Sequence, residues 1–228
     1  MIVGSGLIAR AFAPQYGSDP TTIIFASGVS NSSETDTAAF DRERMMVLKQ
    51  LASNPERLLY FGSCNVNNPE QQSPYFAHKR AMEALVSSSG VGLVIRLPQV
   101  VGATPNPNTL TNHLHRQIVD GARVTIWKRA ERNLIDIDDV AAITHHVLTS
   151  TEALPPVISV ASPWTLPMGE IVRIFESVLG RTAKVAELER GERMHIDTSL
   201  AERAAAEIGI DFGPDYPQRV INKYYGNR

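Results

Sequence analysis

The chain has 228 residues, of which 43% are hydrophobic and 20% charged, and its formal net charge is −2 at pH 7. This composition is typical of a soluble globular protein, and the length allows one sizeable domain or a core domain with a smaller lobe. A nucleic-acid-binding protein usually carries a clear basic excess, so the charge argues against a nucleic-acid partner. The single cysteine excludes an internal disulfide and favours a cytoplasmic location.

Two further classes of protein are not expected. The longest apolar runs, such as residues 91–97, have the length of a strand, so no signal peptide or membrane-spanning segment is predicted. His113 and His115 lie two apart on a predicted helix, and His145 and His146 are adjacent, so each pair points to different faces. No cluster has the spacing of zinc ligands, and no metal site is expected.

The first element is a glycine-rich turn between a short apolar strand and a helix predicted over residues 7–16. Gly4, Gly6 and Ala9 give the pattern Gly-x-Gly-x-x-Ala, with Leu7 and Ile8 between them. Gly4 permits a tight turn, Gly6 lets a pyrophosphate approach the backbone, and Ala9 lets the helix pack on its strand. Free amides at the start of the helix favour an anion. The alternative is a glycine turn without a ligand, but the strand-turn-helix context favours nucleotide binding.

The next predicted strand, over residues 22–26, ends in Ala26-Ser27-Gly28. A dinucleotide-binding fold normally carries an acidic residue about 20 residues after the glycines, at the end of its second strand. This run contains no acid. Asp19 is the nearest one, but it lies in a Gly-Ser-Asp-Pro turn, which it is expected to shape. The sequence therefore does not specify NAD or NADP.

Ser63, Tyr75 and Lys79 form the most informative pattern. A helix predicted over residues 36–53 precedes a strand that ends at Ser63. Ser73 and Pro74 are expected to cap and begin a helix to about residue 88, with Tyr75 and Lys79 one turn apart. An ammonium beside a phenol lowers the pKa of the phenol from about 10. Such a phenol and a nearby hydroxyl can move protons on and off a carbonyl or an alcohol. The alternative is a solvated helix face.

The remaining elements alternate and predict a mostly parallel sheet. We expect strands over residues 93–97, 124–127 and 157–160, and helices over residues 109–120, 168–179 and 199–208. A further helix is expected to reach Leu148 and to be capped by Asp136, Asp138 or Asp139. Gly4, Ser27, Ser63 and Pro98 all follow predicted strands. The carboxyl ends of parallel strands meet at one edge, so these residues are predicted to line one crevice.

Together these segments resemble the extended short-chain dehydrogenase/reductases, the NAD-dependent epimerase/dehydratase family of nucleotide-sugar enzymes. Residues 73–79 are similar to the family's Ser-Pro-Tyr-x-x-x-Lys segment, and Glu83 follows as in many members. Residues 96–102, 132–141 and 197–201 resemble its Arg-x-x-x-Val-x-Gly, Arg-Asp-x-Ile-x-Val-x-Asp-x-Ala and Asp-x-x-Lys-Ala segments. The resemblance keeps the family's order and covers nearly the whole chain.

The resemblance implies an α/β fold with a Rossmann-like, mostly parallel sheet. Residues 22–26 look like the family's fourth strand, so the second and third strands are expected to be missing. A nucleotide-binding core is expected over residues 1–102, and a small C-terminal substrate lobe with elements returning to the core over residues 103–228. The implied cofactor is NAD or NADP, with NAD slightly favoured. The expected cofactor-binding residues are Gly4, Gly6, Leu7, Ile8, Ala26, Ser27, Gly28, Lys79 and Pro98.

The implied reaction is reduction, epimerisation or dehydration of a nucleotide-linked sugar, as used in polysaccharide biosynthesis. Tyr75 would take a proton from a sugar hydroxyl, Lys79 would lower the pKa of Tyr75 and bind the nicotinamide ribose, and Ser63 would bond the developing carbonyl. Dehydratases of the family usually carry an acidic pair beside the serine. Cys64 and Asn65 occupy those positions, so reduction or epimerisation is favoured, and Cys64 is expected to be a small buried thiol.

Three residues of the second half are candidates for substrate binding. Arg132 suits a sugar-nucleotide diphosphate because guanidinium binds phosphate in a fork, with an ordinary surface arginine as the alternative. Asn112 and Trp127 either line the nucleotide pocket or support the lobe.

Two expectations follow from the missing strands. A shortened family member that binds a nucleotide, a nucleotide sugar or a partner subunit without turnover is the alternative function. Loss of two strands also leaves the first strand at a sheet edge, and an exposed edge is usually covered or paired. A homodimer is therefore expected.

Overall fold

The computed structural model describes residues 1–226, which contain the strands and helices that follow. The strands are β1 (Ile2–Val3), β2 (Thr22–Phe25), β3 (Arg57–Ser63), β4 (Gly92–Leu97), β5 (Gln99–Val101), β6 (Arg123–Trp127), β7 (Glu131–Asp136), β8 (Val157–Ser159), β9 (Thr165–Pro167) and β10 (Lys184–Leu188). The helices are α1 (Leu7–Tyr16), α2 (Thr37–Leu51), α3 (Pro74–Ser87), α4 (Leu110–Val119), α5 (Ile137–Thr149), α6 (Met168–Leu179), α7 (Ser199–Glu207) and α8 (Tyr216–Tyr225).

The chain forms two compact units. The first contains Met1–Leu97 and Thr144–Val160, and the second contains Pro98–Ile143 and the chain from Ala161 onward. The division into domains after residue 102 stays a prediction.

The first unit is built on a parallel sheet with the strand order β1-β2-β3-β4-β8. Leu58, Leu59 and Tyr60 are consecutive and fully buried, so both faces of the central strand are covered. Val47 of α2 packs against one face, and Phe12 of α1 lies against the other. The prediction of a Rossmann-like parallel sheet without its second and third strands is confirmed, with β1 at one end of the sheet.

The second unit contains short strands around a helical core. Strand β5 pairs with β7 in parallel, β9 pairs with β7 antiparallel, and β6 pairs with β10 in parallel. The core contains Leu134 of β7, Phe175 of α6 and Ile221 of α8. The sequence did not predict β5, β7, β9, β10 or α8. Strands of three residues are too short to show a period, and β10 is mostly exposed, with lysine and glutamate among its five residues.

Polar turns fix several element boundaries that the sequence indicated. The Asp36 carboxylate accepts a hydrogen bond from the Ala38 amide and caps α2, as the predicted start at residue 36 requires. The Asp19 carboxylate accepts hydrogen bonds from the Thr21 amide and hydroxyl and from the Thr22 amide, which confirms its role in the turn and lowers its pKa.

The predicted caps of two later helices are confirmed in part. Ser73 is the N-cap residue of α3 and Pro74 begins the helix, as predicted, but the side chain of Ser73 makes no capping bond, and its Oγ is buried without a hydrogen-bond partner among residues 1–226. At α5, the Asp136 carboxylate accepts from the Asp138 amide and is the cap. Asp139 instead accepts a 2.6 Å hydrogen bond from the hydroxyl of Tyr216, which ties α8 to α5.

Candidate cofactor and catalytic site

Gly4 is required by the packing of the sheet. Its φ is +125°, in the region that favours glycine, and a Cβ atom added to it would lie 2.4 Å from the carbonyl oxygen of Ala26. Ala26 also donates its amide to the Val3 carbonyl at 2.8 Å. The residues that follow β1 and β2 therefore approach each other so closely that a side chain on Gly4 does not fit.

Gly6 has no such packing reason. It is the N-cap residue of α1 with φ −75°, and an added Cβ atom would meet no atom within 4 Å. Helix α1 has no acidic residue in its first turn, and Gly6 has no side chain that could cap its first amides, which begin with Leu7 and Ile8. A small residue, free amides and no negative charge are what a pyrophosphate needs, so this turn fits a dinucleotide.

The segment after β2 makes room for a buried ion pair. A Cβ atom added to Gly28 would lie 2.9 Å from both Glu43 Oε1 and Lys79 Nζ. Lys79 is 2% exposed, and its ammonium donates to Glu43 Oε1 at 3.1 Å and to the Tyr60 hydroxyl at 2.9 Å. Gly28 therefore has a structural reason that is independent of any cofactor.

Glu43 is the polar residue that sequence reasoning missed. Its side chain is 1% exposed, and its carboxylate accepts from the Tyr60 hydroxyl at 2.6 Å and from the Val29 amide at 2.7 Å. His78 Nε2 lies 3.0 Å from Oε2, and a carboxylate only accepts, so this nitrogen carries the hydrogen. Burial raises the pKa of Glu43, but Lys79 and these donors outweigh it, and the pKa is lowered.

A pattern in α2 does indicate the position of Glu43. Ala39, Glu43 and Val47 are spaced by four residues, and all three are buried. Residues four apart share a helix face, so a glutamate between two apolar residues of that face signals a buried carboxylate with a partner.

Tyr75 does not have the pKa that the sequence predicted. Its side chain is buried on α3 beside Phe76 and Val66, and the Lys79 ammonium lies 5.9 Å from its ring centroid. Burial and the negative charge of Glu43 raise the pKa of Tyr75 to about 12. The prediction that Lys79 lowers this pKa is wrong, because burial, the larger effect, and the charge of Glu43 both raise it.

Ser63 is the last residue of β3 and is half-buried. Its Oγ accepts a 3.3 Å hydrogen bond from the Asn65 amide and caps the short 3₁₀ helix Cys64–Asn67. Val66 of this turn packs against Tyr75. Cys64 is buried, and burial raises its pKa to about 12, so it is an unreactive thiol. A catalytic role for Ser63 stays a prediction.

The candidates of the second unit have different environments. Asn112 donates to the carbonyls of Thr104 and Asn106 at 2.9 and 2.7 Å, and its Oδ1 accepts from the Tyr225 hydroxyl. These bonds fit the alternative in which Asn112 supports the lobe. Trp127 ends β6 opposite Leu188 and is 45% exposed, so it does not hold the lobe together by burial.

Arg132 lies on β7 and is half-buried. Its Nη1 donates to the carbonyl of Glu131 at 2.7 Å. Burial lowers the pKa of Arg132, and the negative charge of Glu192 raises it by less. Pro98 lies between β4 and β5 and is half-exposed.

Within residues 1–226 no group of three His, Cys, Asp or Glu residues is arranged to hold a metal ion, and no helix is long and apolar enough to cross a membrane.

The two glycines of the first turn should respond differently to alanine. Gly4→Ala should lower the midpoint of thermal unfolding by several degrees, because the methyl group meets the Ala26 carbonyl and φ is unfavourable. Gly6→Ala should change it by about a degree or less, since the methyl group enters open space. Circular dichroism on both variants measures this. Equal destabilisation by the two substitutions would contradict the open volume at Gly6.

Solved structures of similar fold are nucleotide-sugar enzymes and related proteins. UDP-glucose 4-epimerase of Thermus thermophilus, complexed with NAD, matches with a TM-score of 0.70 and 17% identity over 97% of this chain and 83% of that one. UDP-glucuronic acid 4-epimerase of Bacillus cereus, in complex with UDP-glucuronic acid and NAD, matches with a TM-score of 0.69 and 16% identity over 96% of this chain and 80% of that one. RMD of Pseudomonas aeruginosa, complexed with NADPH, matches with a TM-score of 0.68 and 18% identity over 99% of this chain and 89% of that one.

The sequence comparisons identify the family. No curated protein sequence matches the chain. The model of the NAD dependent epimerase/dehydratase family matches residues 8–161, which is more than half of the chain and includes Ser63, Tyr75 and Lys79. The match begins at residue 8, so it does not include Gly4 and Gly6. The chain belongs to the NAD dependent epimerase/dehydratase family.

Proposed function

We propose that the protein is an NAD(P)-dependent oxidoreductase or epimerase that acts on a nucleotide-linked sugar through Ser63, Tyr75 and Lys79. The observation that carries this proposal is the open volume at Gly6. Gly4 and Gly28 are explained by the packing around them, but Gly6 is not, and it begins a helix whose first amides suit a phosphate. Family membership supports the same activity.

The first unit would hold the cofactor through the amides at the start of α1 and the residues after β2. A bound nicotinamide accepts or supplies the hydride at a sugar carbon. NAD is slightly favoured over NADP, although the segment after β2, Ala26-Ser27-Gly28, offers no carboxylate to the adenosine ribose. An ammonium has three N–H donors, and in the described chain two of those of Lys79 reach Glu43 and Tyr60. The third would bind the nicotinamide ribose.

The protein's own groups would move the proton. Tyr75 would hold or donate it at its hydroxyl, and Ser63 would donate a hydrogen bond to the developing carbonyl oxygen. Ser63 Oγ accepts from the Asn65 amide, which leaves its own hydrogen available for donation. The turn that Ser63 caps also carries Val66, whose contact with Tyr75 ties this turn to α3.

The second unit would bind the nucleotide sugar. Arg132 retains several N–H donors beyond its bond to the Glu131 carbonyl, and its partial burial strengthens the attraction to a diphosphate. Trp127 offers an exposed aromatic surface to a base or a sugar. We assign Asn112 to holding the loop at residues 104–106, which its two donated bonds favour.

A second function has a specific observation in its favour. The charge of Lys79 is neutralised by Glu43, and the pKa of Tyr75 is raised to about 12. A family member that binds a nucleotide, a nucleotide sugar or a partner subunit without turnover would tolerate such a phenol. The two functions predict different results when nucleotide sugars are added. The nicotinamide absorbance should change with turnover and stay constant without it.

Calorimetric titration with NAD, NADH, NADP and NADPH tests cofactor binding directly. One of the four should bind, and Gly6→Asp should weaken that binding at least tenfold more than Gly6→Asn. The two side chains have the same size and both cap helices well, but only aspartate repels a pyrophosphate. Absence of binding to all four by a folded, cofactor-free protein would favour the function without turnover.

Tyr75→Phe tests the proton transfer. Turnover of a panel of nucleotide sugars, followed at the nicotinamide absorbance, should fall by about 10²–10⁴-fold, which is the usual contribution of a general acid or base. Cofactor affinity should stay the same, since the ring is kept. Tyr224→Phe, in a half-buried tyrosine bonded to Asp136, is the matched control and should keep full turnover. Unchanged turnover in Tyr75→Phe would exclude Tyr75 as the catalytic group.

We also propose that the protein is a cytoplasmic homodimer that serves polysaccharide biosynthesis. The support for the dimer is the position of β1 at one end of the parallel sheet. Light scattering at micromolar concentration should give twice the chain mass. A monodisperse monomer would contradict the dimer.

A further inference from the structure

The strand that leads into the glycine turn is the last strand of the parallel sheet. In the described chain β1 pairs with β2 alone, through Ile2 with Ile24 and Val3 with Phe25, and all other strands of the sheet lie beyond β2. A dinucleotide-binding sheet normally consists of two mononucleotide-binding halves, and the dinucleotide lies across the boundary between them. Residues 17–21 lead from α1 directly to β2, so one of the two halves is missing here.

The half that remains is the one that would hold the nicotinamide. The residues that we assign to the nicotinamide ribose and the reacting sugar are Ser63 at the end of β3 and Tyr75 and Lys79 on α3. Strand β3 follows β2 in the sheet, and α3 packs against β3 and β4. A cofactor whose phosphate lies at the start of α1 would therefore meet the described chain on its nicotinamide side.

The carboxylates nearest in sequence to the glycine turn are bonded elsewhere. Asp19 is the only acidic residue before residue 34. It lies between the end of α1 and the start of β2, hence at the edge of the sheet opposite the glycine turn, and its carboxylate is bonded within its own loop. Glu34, in the segment after β2, accepts from the amides of Thr35 and Asp36 at 2.9 Å. Neither carboxylate is placed to bind the hydroxyls of an adenosine ribose.

The glycine turn also suits a single terminal phosphate. Arg10 Nη1 donates to the carbonyl of Ser5 at 3.2 Å, which holds the guanidinium beside the turn. A terminal phosphate carries nearly two negative charges at pH 7, and guanidinium binds phosphate well. The amides of Leu7 and Ile8 at the start of α1 add hydrogen-bond donors.

We propose that the protein recognises the nicotinamide mononucleotide half of its cofactor and leaves the adenosine half in solvent. Nicotinamide mononucleotide, which ends in one phosphate, is then a sufficient ligand. Its phosphate would bind at the start of α1, and its ribose would meet the ammonium of Lys79. This inference rests on the proposed function and names the part of the cofactor that the site recognises.

Calorimetric titration of the cofactor-free protein compares two ligands. The dinucleotide, in the oxidation state that binds, is compared with nicotinamide mononucleotide in the same oxidation state. Their dissociation constants should agree within about tenfold, because the two ligands share the groups that the site contacts. A saturating concentration of the mononucleotide should also prevent binding of the dinucleotide. A carboxylate bonded to the adenosine ribose, together with a covered adenine, would instead separate the constants by about a hundredfold or more.

Gly6→Asp and Gly6→Asn test whether both ligands use the glycine turn. Both side chains enter open space, so both variants should fold as judged by circular dichroism. The charge of the aspartate should weaken the two ligands by the same factor, within about threefold, relative to the asparagine. A mononucleotide whose binding does not respond to Gly6→Asp would lie elsewhere on the protein, and this result would overturn the inference.

The outcomes separate this inference from the proposed function. A dinucleotide that binds more than about tenfold tighter than the mononucleotide would overturn the inference and leave the proposed function intact, whether this chain or a second copy covers the adenosine. Absence of binding of both ligands would overturn the cofactor dependence of the proposed function, and the inference with it. Similar constants that respond alike to Gly6→Asp support the inference.

Discussion

The buried ion pair between Glu43 and Lys79 is the interaction on which the first unit depends. It joins α2 to α3, and through Tyr60 it joins both helices to β3. Loss of one partner would leave an unpaired buried charge, at a cost of about 3–5 kcal/mol. Gly28 has no side chain because the pair occupies the space where its Cβ atom would lie. A segment that the sequence assigned to cofactor binding is therefore also shaped by electrostatics within the protein.

A second ion pair with a buried carboxylate lies one helical turn further along α3. Glu83 forms a forked ion pair with Arg96, and Gly62 makes room for it, since an added Cβ atom would lie very close to Glu83 Oε1. Tyr75, Lys79 and Glu83 are spaced by four residues and share one face of α3. That face is buried, and each charge on it has a partner from another element. The spacing of Tyr75 and Lys79 is therefore explained by packing as well as by the proposed proton transfer.

The sequence predicted the elements with strong periods and missed the relations between distant residues. The strand that ends at Ser63, the helix that carries Tyr75 and the bounds of α6 follow from local patterns, and the structure confirms them. The raised pKa of Tyr75 was beyond prediction, because it depends on Glu43, which lies 32 positions away and reaches the site only when α2 packs against α3. The strands of three residues in the second unit carried no period to detect.

The glycines of the first unit separate what the fold requires from what a ligand requires. Gly4, Gly28 and Gly62 are each explained by an atom of this chain that a methyl group would meet. No atom of the chain explains Gly6 in this way, because a methyl group added there would enter open space. The ion pair of Glu43 and Lys79 is likewise explained within the protein, since each charge neutralises the other in a buried place. The open space at Gly6 is therefore the one of these features that the proposed pyrophosphate site would account for.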